Sequence, residues 1–142
     1  MQLSGEICRH AATLARKQST DARRCAACCD RSFAARTGDL LFISGIPGFD
    51  AEGALPEKFE AQFANVVTNI KRILDEAGAT MRDLVKVNVL LTRASDVATM
   101  NALYATAFGP APYPARTTCV VQALPDPKML IEIECVAQLS GR

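Results

Sequence analysis

The sequence predicts one small α/β domain: a mixed sheet of four or five strands with two helices on a single face. Three observations lead there. A length of 142 residues suits one core rather than two. Segments of two-residue apolar alternation are interleaved with segments of three-to-four-residue spacing, in the order ββαβαββ. Each helical segment has one apolar stripe, so two of them in one layer cover only one side of a sheet.

The elements follow in order. Thr37-Gly38-Asp39 is a turn signal between Ser32–Arg36 and the apolar run Leu40–Ser44, which suggests a hairpin ending at Gly45. Ile46-Pro47-Gly48 through Gly53 reads as a loop. Pro56 suits a helix start, where its missing N–H has no partner to lose. Phe59, Phe63, Val66, Val67, Ile70, Ile73, Leu74 and Ala77 then form one apolar face on a helix ending at Gly78. In Leu84–Leu91, residues Val85, Val87, Val89 and Leu91 alternate with Lys86 and Asn88, as a half-buried strand requires. Ser95 or Asp96 is suited to cap a second helix running to Phe108, with Val97, Met100, Leu103 and Tyr104 inward. Gly109-Pro110 and Pro112 stop it. Thr117–Val121 and Leu130–Ala137 are the last two strands, joined through Leu124-Pro125-Asp126-Pro127. The uncovered sheet face keeps apolar groups such as Leu90 and Val136, so it is expected to meet another subunit.

Composition narrows the classes. Hydrophobic residues make up 49% and charged residues 22%, ordinary values for a globular chain. A net charge of +1 provides no general field for nucleic acid or an acidic membrane. The charge is uneven, since residues 1–36 hold seven basic side chains against Glu6, Asp21 and Asp30. No apolar run is long enough to span a bilayer, and none resembles a secretory signal, so a cytoplasmic protein with reduced thiols is expected. The core-forming pattern starts near Ser32. That sets a basic arm over 1–31 and the domain over 32–142. Cys25, Cys28 and Cys29 have the spacing of a zinc or redox half-site, but only Cys8 and His10 lie nearby to complete one; small thiols in an arm are the plainer reading.

Few residues carry chemistry. His10 is the sole histidine and lies in the arm, so no Ser-His or Cys-His pair is expected in the core. Arg116 opens a strand directly after a proline-rich turn, where a guanidinium can grip a carboxylate through two parallel hydrogen bonds. The alternative is a surface arginine paired with a neighbouring acid. Glu132 and Glu134 alternate with Ile131 and Ile133 and share one strand face. If that face is a subunit interface, a partly buried glutamate can handle protons; if it faces solvent, both are edge charges.

Gly38-Asp39-Leu40-Leu41-Phe42-Ile43-Ser44-Gly45, Asn69-Ile70 with Ala77-Gly78, Val85-Lys86-Val87, Met100-Asn101-Ala102-Leu103-Tyr104, Pro114-Ala115-Arg116 and Ile131-Glu132-Ile133-Glu134 occur in this order. Together they resemble the Rid family (reactive intermediate deaminase, also called YjgF) over about residues 32–138. The resemblance implies a chorismate-mutase-like fold in a homotrimer, with sites in the clefts between subunits. Members with the arginine hydrolyse reactive enamines and imines, such as 2-aminoacrylate, to a 2-keto acid and ammonia. No metal or organic cofactor is expected. By position, Arg116 matches the residue that holds the substrate carboxylate and Glu132 the one associated with the attacking water. Asn101 matches a cleft residue and Gly45 the loop beside the ligand, with Ile46 next to it and Thr118 completing the pocket.

Three positions depart from the family pattern: Ile46 follows Gly45 where glutamine is common, Thr118 stands where cysteine is frequent with Cys119 one place later, and a usual tyrosine aligns near Arg31. Besides a deaminase, the same cleft suits a non-catalytic keto-acid sensor. An RNA-cleaving translation inhibitor is the third class, disfavoured by the near-neutral core.

Overall fold

The computed structural model describes residues 32–139. The arm expected over 1–31, with His10 and the Cys25, Cys28 and Cys29 cluster, lies outside the described residues. Strands β1 (Ala34–Thr37) and β2 (Leu40–Pro47) form the expected hairpin, turning on Gly38 at φ 54°. After β2 the chain enters helix α1 (Phe59–Glu76), strand β3 (Leu84–Leu91), helix α2 (Val97–Phe108), and strands β4 (Ala115–Val120) and β5 (Ile131–Gln138). The five strands form one mixed sheet in the order β1-β2-β5-β3-β4. Only β3 and β4 run parallel, and β4 is an edge. That fits a connection through α2, since a parallel pair needs a crossover.

The core lies between the sheet and the two helices. Leu41, Ile43, Ile46, Val87, Val89, Leu91, Ile131, Ile133 and Ala137 face Phe63, Val66, Ile70, Leu74, Met100, Tyr104 and Phe108. The stripe read for α1 is the buried stripe, and its end follows the glycine rule: Gly78 takes φ 72° and the N–H of Ala79 reaches the carbonyl of Leu74 at 2.8 Å. Among the described residues no helix covers the opposite sheet face. Phe42 is 45% exposed there, paired with Val136 on β5.

Four local expectations are corrected. First, β2 does not end at Gly45. A register shift between Ile43 and Ile46 inserts an extra residue, so Ile46 turns inward at 3% exposure and the strand continues to Pro47. Strict alternation from Leu41 and Ile43 would have aimed position 45 at the core; the bulge aims it at the open face instead. Second, the first residue of β3 to face inward is Leu84, because pairing with β5 shifts between Leu84 and Lys86 and leaves Val85 44% exposed. Third, α1 starts three residues after Pro56, whose carbonyl is taken by the side chain of Gln62 at 2.7 Å. Fourth, Asp96 occupies the N-cap position of α2 without capping it, since its carboxylate accepts from Arg93 Nε at 2.7 Å.

Gln62 is the fully buried polar group that apolar patterning overlooks. Its amide nitrogen donates to the carbonyls of Pro56 and Lys128, and its oxygen accepts from the N–H of Leu130 at 2.9 Å. The buried amide thereby has both its donor and its acceptor groups satisfied by backbone. Asn65 and Asn69 donate to the carbonyls of Gly48 and Phe49. A Cβ at Gly48 would lie 2.6 Å from the carbonyl oxygen of Gln62, so only glycine lets the loop rest on the helix backbone. Loop, helix and the approach to β5 are thus tied together, and this holds Gly45 and Glu132 in register.

Candidate active site

Arg116 is the second residue of edge strand β4, paired with Val87 of β3 and therefore on the helix side of the sheet. One face of α2 receives its guanidinium. The carbon Cζ sits 4.5 Å from the ring centroid of Tyr104. Nη2 donates to Asn101 Oδ1 at 2.8 Å, and Nη1 lies 3.8 Å from the sulfur of Met100. These partners sit at positions 100, 101 and 104 of one helix, spacings that put them on adjoining faces of the same turn. Among the described residues no carboxylate forms an ion pair with Arg116. The surface arginine balanced by a neighbouring acid is not what the fold builds.

Tyr104 is 5% exposed and stacks on Phe108, with ring centroids 4.1 Å apart and planes 9° from parallel. Burial pushes its phenol up to about 12, against the opposing pull of Arg116, so it is neutral at physiological pH. Among the described residues its buried hydroxyl has no hydrogen-bond partner, nor has that of Thr118. Thr118 pairs with Val89 and so shares the sheet side of Arg116, two residues along. Cys119, shifted by one, pairs with Leu90 and faces the other way. The one-residue displacement therefore removes the thiol from this side of the sheet and leaves a hydroxyl there.

Glu132 belongs to the other face. It pairs with Pro47 on β2 and Leu90 on β3, between the inward-facing Ile131 and Ile133. Its side chain lies against Gly45: a Cβ at position 45 would overlap Oε1 and come within 2.6 Å of Cδ. The glycine is required by this close approach, not by a positive φ. The two glutamates that looked equivalent in sequence differ here. Glu134 is exposed and accepts from Asn88 Nδ2 at 2.6 Å, whereas Glu132 is half-buried.

Gly45→Ala is expected to separate function from stability. The clashing atoms are the far end of a flexible side chain, so Glu132 can swing away and the melting temperature should move by only a few degrees. The displaced carboxylate should lower turnover by roughly tenfold, since positioned proton transfer is sensitive to such shifts. Melting curves and turnover of the same preparation check this; a large stability loss with normal turnover would contradict it.

The structure thus brings Asn101 to Arg116 and Gly45 to Glu132, but holds the two pairs on opposite faces of one packed sheet. Ile46, expected beside the ligand, gives its side chain to the core. Met100 and Tyr104 were read from the sequence as inward-facing packing only. Their proximity to position 101 was the available signal that the same surface meets the arginine strand. Among the described residues no group of three or more His, Cys, Asp or Glu side chains is gathered to hold a metal ion.

Comparison with known proteins adds the following. Residues 22–139 match the family model described as endoribonuclease L-PSP. The chain is 40% identical over 110 residues to Reactive Intermediate Deaminase A, chloroplastic, of Arabidopsis thaliana, covering 76% of this chain and 58% of that protein. It is 37% identical over 103 residues to the 2-iminobutanoate/2-iminopropanoate deaminase of Salmonella typhimurium, covering 70% of this chain and 80% of that one. Among solved structures, RidA from an Antarctic Psychrobacter superposes with a TM-score of 0.74 at 42% identity, over 80% of this chain and 92% of that one. No described helix is long and apolar enough to cross a membrane. The cytoplasmic expectation gains no support, since the Arabidopsis relative is chloroplastic and a Schizosaccharomyces pombe relative at 36% identity is mitochondrial.

Proposed function

Because the chain belongs to the Rid family, the group matched as endoribonuclease L-PSP, we propose that it hydrolyses small enamines and imines of the 2-aminoacrylate type to 2-keto acids and ammonia, in clefts between subunits of a homotrimer. The observation that carries this reading is the guanidinium of Arg116, held by Asn101, Met100 and Tyr104 without a carboxylate among the described residues to neutralise it. An arginine fixed by neutral groups keeps its fork for an anionic ligand, and a carboxylate fits that fork in two parallel bonds.

The chemistry asks little more. A 2-aminoacrylate protonated at its methylene carbon becomes an iminium, whose carbon is electrophilic without further activation. Water adds to that carbon while Glu132 takes one of its protons. The same carboxyl then returns the proton to the nitrogen of the carbinolamine; as the C–N bond breaks the hydroxyl proton passes to the carboxylate, the keto group forms, and ammonia leaves, taking up that proton as ammonium. Arg116 holds the carboxylate throughout, which fixes the iminium carbon relative to the water. Because Arg116 and Glu132 occupy opposite faces within one chain, a single small substrate meets both only where the β4 edge of one subunit lies beside the open sheet face of another.

Two measurements test this. Ammonia and keto-acid release from enzymatically generated 2-aminoacrylate should be rapid with the wild type and close to the uncatalysed rate with Arg116→Ala. Keto-acid binding without any ammonia release would instead favour a non-catalytic sensor. Sedimentation of dilute protein should show a trimer, which covers the face carrying Phe42, Leu90 and Val136. A stable folded monomer would remove the inter-subunit site. The RNA-cleaving reading gains nothing from the site, because Arg116 is its one cation and no histidine stands in the described residues.

A further inference from the structure

We infer that Tyr104 is the positioning residue of this site: the face of its ring holds the guanidinium of Arg116 in place while leaving the charge uncompensated for the substrate carboxylate. The inference rests on the reading of Arg116 as the carboxylate anchor and adds what makes that anchor rigid. An arginine on an exposed edge strand has four side-chain torsions, and it would lose much of its grip if each had to be ordered when the ligand binds. In this fold most of that ordering is already done. Asn101 fixes one end of the fork through Nη2, and the ring of Tyr104 lies under its centre at 4.5 Å.

The ring itself is immobile. It stacks on Phe108 on one side, with planes 9° apart, and meets the exposed ring of Tyr113 at 6.3 Å on another. A carboxylate in place of either neutral partner would hold Arg116 as firmly, but would occupy the fork that the substrate needs. The π face attracts the cation from above the guanidinium plane, so it uses none of the in-plane N–H groups, which serve Asn101, Met100 and the substrate. Three aromatic side chains from α2 and the turn before β4 thus support one cation. The hydroxyl of Tyr104 plays no part in this, since it is buried and makes no hydrogen bond among the described residues.

The test uses the full chain with its assembly state checked by sedimentation. Tyr104→Leu removes the ring and should weaken pyruvate binding about two- to fivefold, the scale of a cation–π contact made by an exposed guanidinium. Affinity for pyruvamide, which lacks the carboxylate, should stay within twofold, and KM should rise much more than kcat falls. Tyr104→Phe restores the ring and should rescue binding. Since Tyr104→Leu could disturb the core, a shape-conserving series is also needed: Phe at position 104 with one, two and three ring fluorines. Each fluorine drains the π face, so the dissociation constant for pyruvate should climb stepwise. A flat series, or failure of Tyr104→Phe to rescue, would overturn the role of the ring. A wild type that neither binds pyruvate nor releases ammonia would instead sink the carboxylate-anchor reading itself.

Discussion

Arg116→Lys is expected to lower kcat/KM roughly a hundredfold, a loss on the order of 2–3 kcal/mol for a charge-assisted contact. The charge is kept, so simple electrostatic attraction predicts a mild effect. The geometry predicts a severe one for two reasons. An ammonium is a point donor and cannot present two parallel N–H groups to a carboxylate. It also cannot match the guanidinium in resting on the ring of Tyr104 while donating to Asn101, contacts made at 4.5 Å and 2.8 Å. Lysine would therefore be less ordered as well as less complementary. Titration with pyruvate or 2-ketobutyrate should show the same loss in affinity. If Arg116→Lys binds the keto acid as tightly as wild type, Arg116 does not anchor the carboxylate, and the proposed function loses its main residue.

Glu132→Gln should show the opposite division. The amide keeps the shape that lies against Gly45, where the space is already tight, so the fold should be undisturbed. What is lost is the group that takes the proton from water and returns it to nitrogen. A fall in kcat of about a hundredfold or more is expected, with keto-acid affinity changed only a few-fold. Steady-state kinetics beside equilibrium titration separate the two quantities. Normal kcat in Glu132→Gln would remove Glu132 from the chemistry and leave proton transfer to water or the substrate itself. Comparison with Gly45→Ala is informative: the carboxylate is present there but displaced, so its kcat should lie between those of wild type and Glu132→Gln.

Much of this molecule is legible in its sequence because much of it is set locally. The stripe from Phe63 to Leu74, the Gly78 stop, the turn at Gly38 and the alternation from Ile131 to Ala137 each follow from periodicity or backbone permissiveness within a few residues. Arg116 and Glu132 stand out by side-chain type and strand position, whereas Asn101 and Gly45 are candidates only through the resemblance to the Rid family. What failed was any statement needing register between distant strands. Val85 was set inward and Ile46 in a loop because strict alternation cannot foresee an added residue, and the two shifts against β5 decide both. Gln62 lies outside any apolar pattern, yet it satisfies backbone groups as far away as Leu130.

The site divides along the same line. Sequence determined which residues are chemically competent, because a guanidinium, a carboxylate and an amide are properties of single side chains. Only the tertiary structure decided that Asn101 and Tyr104 hold Arg116, that Glu132 lies on Gly45, and that the two pairs face opposite sides of the sheet. The physical reason is that strand order and register are fixed by contacts across the whole core, and one added residue in a strand moves a side chain from one face to the other.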